Sequence, residues 1–410
     1  MADEKAPEVD YTLNNPDTLT KYKTAAQISH NVLEAVRDLC FEGEKIVEIC
    51  QKGDQLLEEQ IAKVYKGKKI AKDSNLSKGI SHPTTVSPSS YVTPYTPLVS
   101  DAAEAEIVLK AGEVIKIQLG AQIDGFGTIV CDMLVVAKKD SKDVVTGREA
   151  DLILATHYAN EVLLRLMIPQ GLLAQGTDEE KKKAAAQKAP TQAYMSSLLE
   201  KIAKTYDCNV VENTTSWLFG RNEIEGEKKI ILAPGNGVRG DGVPEVGEVW
   251  GVEVGLSLGS GKVKNLDHRA TLHRRTTTTY GLKRPSSRQT LSEVVKKFGT
   301  FPFSLRQLED EKAAKVGVVE CVRAGVLRQY EPAGETDGSA VSRLLTTVAI
   351  TKNGLTKLAA ANPVDLEKFK SDKKIEDEEI LKILEQPLSR STGNKKSKSK
   401  KKTTKTEGAE

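Results

Sequence analysis

Between Ala111 and Val136 the chain reads AGEVIKIQLGAQIDGFGTIVCDMLVV. The alternation predicts a strand at Val114–Leu119, a tight turn and a second strand at Gly127–Val136. Apolar residues at helical spacing occur on both sides of this hairpin in the sequence. Tyr22–Leu39 carries Ile28, Val32, Val36 and Leu39 on one face, and Ile46–Val64 repeats the pattern. A long helix starts at Thr146-Gly147-Arg148-Glu149, has a core stripe of Ala155, Ala159, Val162, Leu163 and Leu166, and ends before Pro169. Met195–Tyr206 is another amphipathic helix, with Leu198, Leu199, Ile202 and Ala203 inward.

Other segments have a different texture. An acidic leader up to about Asp17 is expected to be flexible. Gly79–Pro97, rich in Ser, Thr and Pro, favours extended loop and edge structure. Thr177–Lys188 is charged and alanine-rich, with no role that the sequence assigns. A strand-rich stretch runs from Lys229 to Lys262, and short helices are expected at Ser292–Phe298, Leu305–Val316 and Cys321–Arg328 before a strand at Ala340–Thr351. The implied organisation is a flexible leader at 1–17, a core of 18–262 with 336–365, and an inserted helical subdomain at 263–335. A C-terminal extension at 366–394 and a basic tail at 395–410 follow.

At 410 residues, 39% of them hydrophobic, the chain is long enough for a sizeable core with an embellishment. No stretch approaches the ~20 apolar residues of a membrane helix, and the start MADEKAPEVD is too acidic for a signal or transit peptide. A soluble, membrane-free protein is expected. The cysteines Cys40, Cys50, Cys131, Cys208 and Cys321 show no CxxC pair, which favours reduced, buried thiols. His30, His82, His157, His268 and His273 lack metal-ligand spacing, and no cofactor is implied. Gly235-Asn236-Gly237-Val238-Arg239-Gly240 matches GxGxxG but leads into Pro244 rather than a helix, so it reads as a loop. Gly259-Ser260-Gly261-Lys262 fails as a phosphate loop, because Leu256 stands where the first glycine should be and Val263 replaces the hydroxyl residue.

Longer motifs carry a family resemblance. Thr20-Lys21-Tyr22-Lys23, Gln51-Lys52-Gly53-Asp54, Pro83-Thr84, Lys116-Ile117-Gln118-Leu119-Gly120 and Val145–Asp151 occur in order. So do Gly247–Glu253, Tyr280-Gly281-Leu282-Lys283, Pro302–Arg306 and Glu309–Lys312. The series resembles the proliferation-associated and curved-DNA-binding protein family, non-peptidase relatives of type 2 methionine aminopeptidase. The resemblance implies an α+β pita-bread fold with an inserted helical, winged-helix-like subdomain. It also places the peptidase metal ligands: aspartates at Gln118 and Ile129, glutamates at Glu253 and Leu345, and a histidine just before Gly226. A substrate-contacting histidine falls at Pro94. A two-metal hydrolase needs carboxylates at these points to offset the ions' charge. With four of five ligand positions non-coordinating, a pseudo-aminopeptidase is expected, and Glu253 is expected to hold a hydrogen bond or ion pair in the old cleft.

A formal net charge of +3 hides strong segregation. Cations crowd Lys63, Lys66, Lys68, Lys69 and Lys72, then Arg269, Arg274, Arg275, Lys283 and Arg284 beside Tyr280. The third cluster is Lys395, Lys396, Lys398, Lys400, Lys401 and Lys402. Such clusters favour a polyanionic partner. The resemblance implies RNA binding and docking on the large ribosomal subunit, on its rRNA and exit-region proteins near the nascent-chain exit. It further implies regulatory protein partners, a role in growth regulation, and residence in cytoplasm and nucleus, nucleolus included. The alternative is a nuclear regulator that binds curved DNA; an active metallo-aminopeptidase comes last.

Overall fold

The computed structural model describes residues 10–67, 69–71, 74–141 and 143–390. Helix α1 (Pro16–Arg37) begins before Tyr22 because Asn15 caps it: the Asp17 N–H donates to Asn15 Oδ1 at 3.0 Å, and Pro16 fills the first turn, where no N–H is needed. The expected flexible leader therefore ends in an ordered cap, while residues 1–9 lie outside the described residues. Helix α2 (Ile46–Lys63) packs closely on the following chain. A Cβ on Gly53 would stand 2.5 Å from Thr84 Cγ2, so no larger residue fits there.

After the small ribbon β1 (Lys69–Ala71) and β2 (Ser74–Asn75) come β3 (Lys78–Pro88), the short α3 (Ala102–Ala105), β4 (Val114–Ile123), β5 (Phe126–Gly127) and β6 (Val130–Val135). The Gly79–Pro97 stretch, expected as loop and edge, is for half its length an eleven-residue buried strand. Its polar side chains are satisfied inside the fold; the Thr85 hydroxyl donates to Gln118 O at 3.1 Å.

The second half repeats the scheme. Helices α4 (Gly147–Leu166), α5 (Asp178–Ala185) and α6 (Gln192–Thr205) precede β7 (Asn209–Val210), β8 (Thr214–Phe219), β9 (Lys229–Leu232) and β10 (Val249–Ser257). The stretch from Lys229 to Lys262 is thus two strands separated by a long loop that includes the GxGxxG segment.

The chain then leaves through β11 (Val263–Asn265) and returns through β15 (Ala333–Glu335), which pair antiparallel as a two-stranded stalk. Between them lie β12 (Leu272–Arg275), α7 (Pro285–Lys297), β13 (Phe303–Ser304), a 3-10 turn at Leu305–Gln307, α8 (Glu311–Arg323) and β14 (Leu327–Gln329). The insert is not purely helical: β13-β12-β14 form a three-stranded sheet beside the two helices. Pro285 at the first helical position starts α7 earlier than Ser292. Asp310 caps α8, so helix forms after Leu308 rather than at Leu305. Cys321–Arg328 is not a separate helix, since α8 ends at Arg323 and Gly325, at φ +72°, turns the chain into β14.

Strands β16 (Val341–Thr351) and β17 (Gly354–Ala359) and helix α9 (Glu378–Glu385) complete the order. The main antiparallel sheet runs β3-β4-β6-β16-β10-β8-β9, with β17 on β16, β5 on β4 and β7 on β10. Period-two alternation sorts its faces. Ile115, Ile117, Leu119 and Ala121 of β4 pack with Val32, Val36 and Leu57 of α1 and α2. Val252, Val254 and Leu256 of β10 and Leu344, Val348 and Ile350 of β16 pack with α4 and α6. At ~1.5–3 kcal/mol per fully buried aliphatic side chain, these clusters hold the helices to one face. Gln118, Cys131, Leu345 and Glu253 point to the other. All five cysteines are buried and free, and among the described residues no helix is long and apolar enough to cross a membrane.

Candidate functional site

Cross-strand register builds the site. Gln118 on β4 lies opposite Cys131 on β6, Cys131 opposite Leu345 on β16, and Leu345 opposite Glu253 on β10. Directly opposed residues share a face, so this row spans four strands with all its side chains turned away from the helices. Ile129 joins them from the start of β6; its N–H donates to Thr347 Oγ1 at 2.9 Å. Ile129 and Leu345 are buried with Phe126, Phe219, Val249 and Phe301 in one apolar cluster.

Arg343, two residues before Leu345 on the same face, occupies the space between the polar members. Its Nη2 donates to Gln118 Oε1 at 2.6 Å, its Nη1 to Val92 O at 3.0 Å, and its Nε lies 3.1 Å from Glu253 Oε1. That last contact is an ion pair whose N–H is not aimed squarely at the oxygen. Gln118 Nε2 lies 2.9 Å from His82 Nε2, and His82 Nδ1 lies 2.8 Å from Pro83 O. Both contacts are satisfied when the ring proton is on Nδ1, leaving Nε2 to accept from the amide. Burial, with Arg343 nearby, pushes the His82 imidazole down to about 3, which keeps it neutral. Burial also pushes the Glu253 carboxyl up, against the pull of Arg343. Lys116, two residues before Gln118 on β4, donates to Ser89 O at 2.5 Å, and burial pushes its amine down to about 7.

Beside this row the insert is tied to the core. Glu225, on the turn after β8, accepts from the Tyr330 hydroxyl at 2.6 Å and pairs with Arg328 at 2.5 Å and Arg274 at 3.4 Å. Arg274 also pairs with Glu223 at 3.0 Å. Arg274 is therefore a clamp on the core rather than the free cation expected for a nucleic-acid surface. Its side chain is only 13% exposed, and a guanidinium so buried needs these carboxylates.

The donor set does not fit a pair of divalent ions. Ile129 and Leu345 offer no ligand atom, the Gln118 amide oxygen is taken by Arg343, and the one carboxylate of the row already faces a fixed cation. A guanidinium there repels a second positive charge. Among the described residues no group of three or more His, Cys, Asp and Glu could hold a metal ion.

The cationic residues lie elsewhere. Lys63 ends α2, and Lys63 and Lys66 are exposed. Lys69 opens β1, whereas Lys68, Lys72 and the tail residues Lys395, Lys396, Lys398, Lys400, Lys401 and Lys402 lie outside the described residues. Lys78 Nζ donates to Ile61 O and Val64 O at the end of α2. A Cβ on Gly79 would stand 3.9 Å from Lys297 O, so the end of α7 lies against the start of β3. On the insert, Arg269, Lys283 and Arg284 are exposed and Arg275 half-buried. The Lys283 and Arg284 backbone N–H groups donate to Glu320 at 2.8 and 3.0 Å, which fixes where these side chains start.

Sequence reasoning missed Arg343, His82, Lys116 and Glu225 as members of the site. One signal was present: VSRLLTTVAIT is a buried strand in which a lone arginine must find an anion.

The model of metallopeptidase family M24 matches residues 20–271. The curved DNA-binding protein of Schizosaccharomyces pombe is 39% identical over 394 residues, covering 95% of this chain and 95% of the relative. The solved structure described as that of a thermophilic Arx1 superposes with a TM-score of 0.88 at 66% identity, covering 92% of this chain and 99% of that one. Methionine aminopeptidase from Thermotoga maritima shares the fold, with a TM-score of 0.51 at 16% identity over 84% of this chain and 98% of that one. The chain has the pita-bread α+β fold and belongs to metallopeptidase family M24, within the proliferation-associated and curved-DNA-binding group of non-peptidase relatives of type 2 methionine aminopeptidase.

Proposed function

We propose that the chain is a catalytically silent member of its family that binds RNA and docks on the large ribosomal subunit near the nascent-chain exit. It acts there in ribosome biogenesis, translation control or growth regulation, and it works in cytoplasm and nucleus, nucleolus included. The observation that carries the non-catalytic half is Arg343, which holds Gln118 and Glu253 at 2.6 and 3.1 Å where a hydrolase would need two metal ions. A cleft filled by the chain's own cation and by Ile129 and Leu345 leaves the scaffold's outer surface for function. Exposed Lys63 and Lys66 at and after the end of α2, with Arg269, Lys283 and Arg284 on the insert, support a phosphate-rich partner.

Tagged protein sedimented with and without RNase tests the reading. Co-sedimentation with large subunits at moderate salt, lost after RNase, is expected; sedimentation unchanged by RNase would sink RNA binding. No methionine should be released from peptides with added cobalt, manganese or zinc. The name of the S. pombe relative, curved DNA-binding protein, favours a second reading, binding of curved DNA. Preference for curved over straight duplex of equal length would support it.

A further inference from the structure

We propose that Arg343 is a resident cation standing in for metal: its guanidinium supplies the fixed positive charge that this face of the sheet requires, and vacating it creates a site for free guanidinium. Three observations converge. The Gln118–Cys131–Leu345–Glu253 row ends in a buried carboxylate, and a buried carboxylate needs a cation. Arg343 meets groups from three different segments, the Val92 carbonyl after β3, Gln118 on β4 and Glu253 on β10, and Gln118 in turn contacts His82 on β3. A metal pair would bridge strands in this way, and the planar guanidinium, with several donors in a fixed fork, reaches an amide oxygen, a backbone carbonyl and a carboxylate from one side chain. The surroundings are built for it. Gly255 lies opposite Arg343 on β10 and carries no side chain to compete, and the neutral His82 orients the Gln118 amide so that its oxygen faces the guanidinium. Arg343, Gln118 and Ile129 then form one coordinated set: arginine brings the charge, glutamine turns an anion into a dipole that accepts it, and isoleucine removes the second ligand.

This inference rests on the reading of the cleft as unable to hold metal, and its test separates the two. In the full chain, Arg343→Ala removes the guanidinium and leaves a hole bordered by Gln118 Oε1, Val92 O and Glu253. Thermal unfolding is followed with 0–10 mM guanidinium chloride, far below denaturing concentrations, and with matched urea, sodium chloride and manganese chloride. The variant should unfold well below the parent. Guanidinium, but not urea, sodium or manganese, should raise its midpoint by about 1–3 °C while leaving the parent unchanged. Equal stability of variant and parent, or no response specific to guanidinium, overturns the inference. Should Arg343→Ala fail to fold, the double variant Glu253→Gln/Arg343→Met decides. With both charges removed it should fold with a midpoint near that of the parent, and a double variant that also fails to fold overturns the inference. Calorimetric binding of manganese to the parent would instead overturn the reading of the cleft beneath it.

Discussion

Glu253 on β10 and Arg343 on β16 are not opposite each other in the sheet, yet their charged groups meet at 3.1 Å, because Arg343 reaches diagonally past Gly255. Both side chains are largely buried, at 17% and 12% exposure, so neither charge can be left to solvent. Removing one partner of such a pair is costly, about 3–5 kcal/mol, since the survivor stays buried and uncompensated. Glu253→Ala should therefore lower the urea midpoint substantially while leaving co-sedimentation with ribosomes near that of the parent. Loss of sedimentation at unchanged stability would make the cleft itself a binding site.

Gln118→Asp restores one carboxylate of the peptidase set but does not restore chemistry. The new carboxylate, one methylene shorter than the Gln118 side chain, would lie nearer β4 but still face the guanidinium that now donates to Gln118 Oε1 at 2.6 Å, so Arg343 would pair with it before any metal could. No peptidase activity is expected with cobalt, manganese or zinc. Release of methionine by this single variant would contradict the fit argument.

Two buried histidines set the acid limb of stability. Burial holds His82 down to about 3 and His273 down to about 4, against an ordinary value of 6.5. Both are neutral in the folded chain, whereas the unfolded chain takes up their protons below pH 6.5. Their stabilisation is complete above that value and is lost as pH falls toward the folded values, at up to about 1.4 kcal/mol per pH unit for each. Glu253 acts in the opposite sense, because burial raises its pKa and the folded state holds its proton more firmly. Unfolding free energies measured from pH 7 to 4 should fall steeply in the parent and less steeply in His82→Gln. Identical slopes would show that His82 titrates normally.

How much of this was legible in the sequence depends on the range of the interaction. Period-two and helical patterns located β4, β6, α2, α4, α6 and β16 to within a few residues, because alternation is local. Gly53-Asp54, Pro83-Thr84 and Ser304-Leu305-Arg306 were visible as motifs, but not that they meet. Asp54 Oδ1 accepts from the Thr84 N–H at 2.7 Å, and Arg306 pairs with Asp54 Oδ2 at 2.9 Å. The same gap hid Arg343: residues 118, 253 and 343 converge only through strand register, which no single segment encodes. The pairing of Arg274 with Glu223 and Glu225 was hidden as well, because a charge in sequence carries no sign of whether it is exposed. The three-stranded sheet of the insert escaped because β12, β13 and β14 are each only two to four residues long.

The Asp54–Arg306 pair locks the insert to α2 and β3. Arg306 also donates to Thr96 Oγ1 at 3.1 Å and to Thr84 O at 3.3 Å, and its side chain is only 4% exposed. Arg306→Met should cost about 3–5 kcal/mol by stranding Asp54, and pairing it with Asp54→Asn should recover part of the loss. Urea denaturation of the three variants reads the coupling; strict additivity would show that the pair does not act as a unit.

The basic corner at the end of α2 and the lysines after residue 394 should contribute to RNA binding in different ways. Seven lysines lie between Lys395 and Lys405. If each pairs with a phosphate, the logarithmic salt slope should lose roughly 5 to 6 units when residues from Lys395 onward are deleted, with the core's unfolding midpoint unchanged. Lys63 closes a helix end that Lys78 ties down through Ile61 O and Val64 O, and Lys66 follows three residues on, so these two cations start from a fixed stretch of backbone. Replacing Lys66, Lys68, Lys69 and Lys72 with glutamate should therefore abolish specific docking, whereas removing the tail should only lower affinity. The comparison is made at ~150 mM salt, where charges beyond ~8 Å are largely screened and only near contacts count. A quadruple variant that still co-sediments with large subunits like the parent would show that the docking surface lies elsewhere, and the exposed Arg269, Lys283 and Arg284 of the insert would be the next residues to reverse.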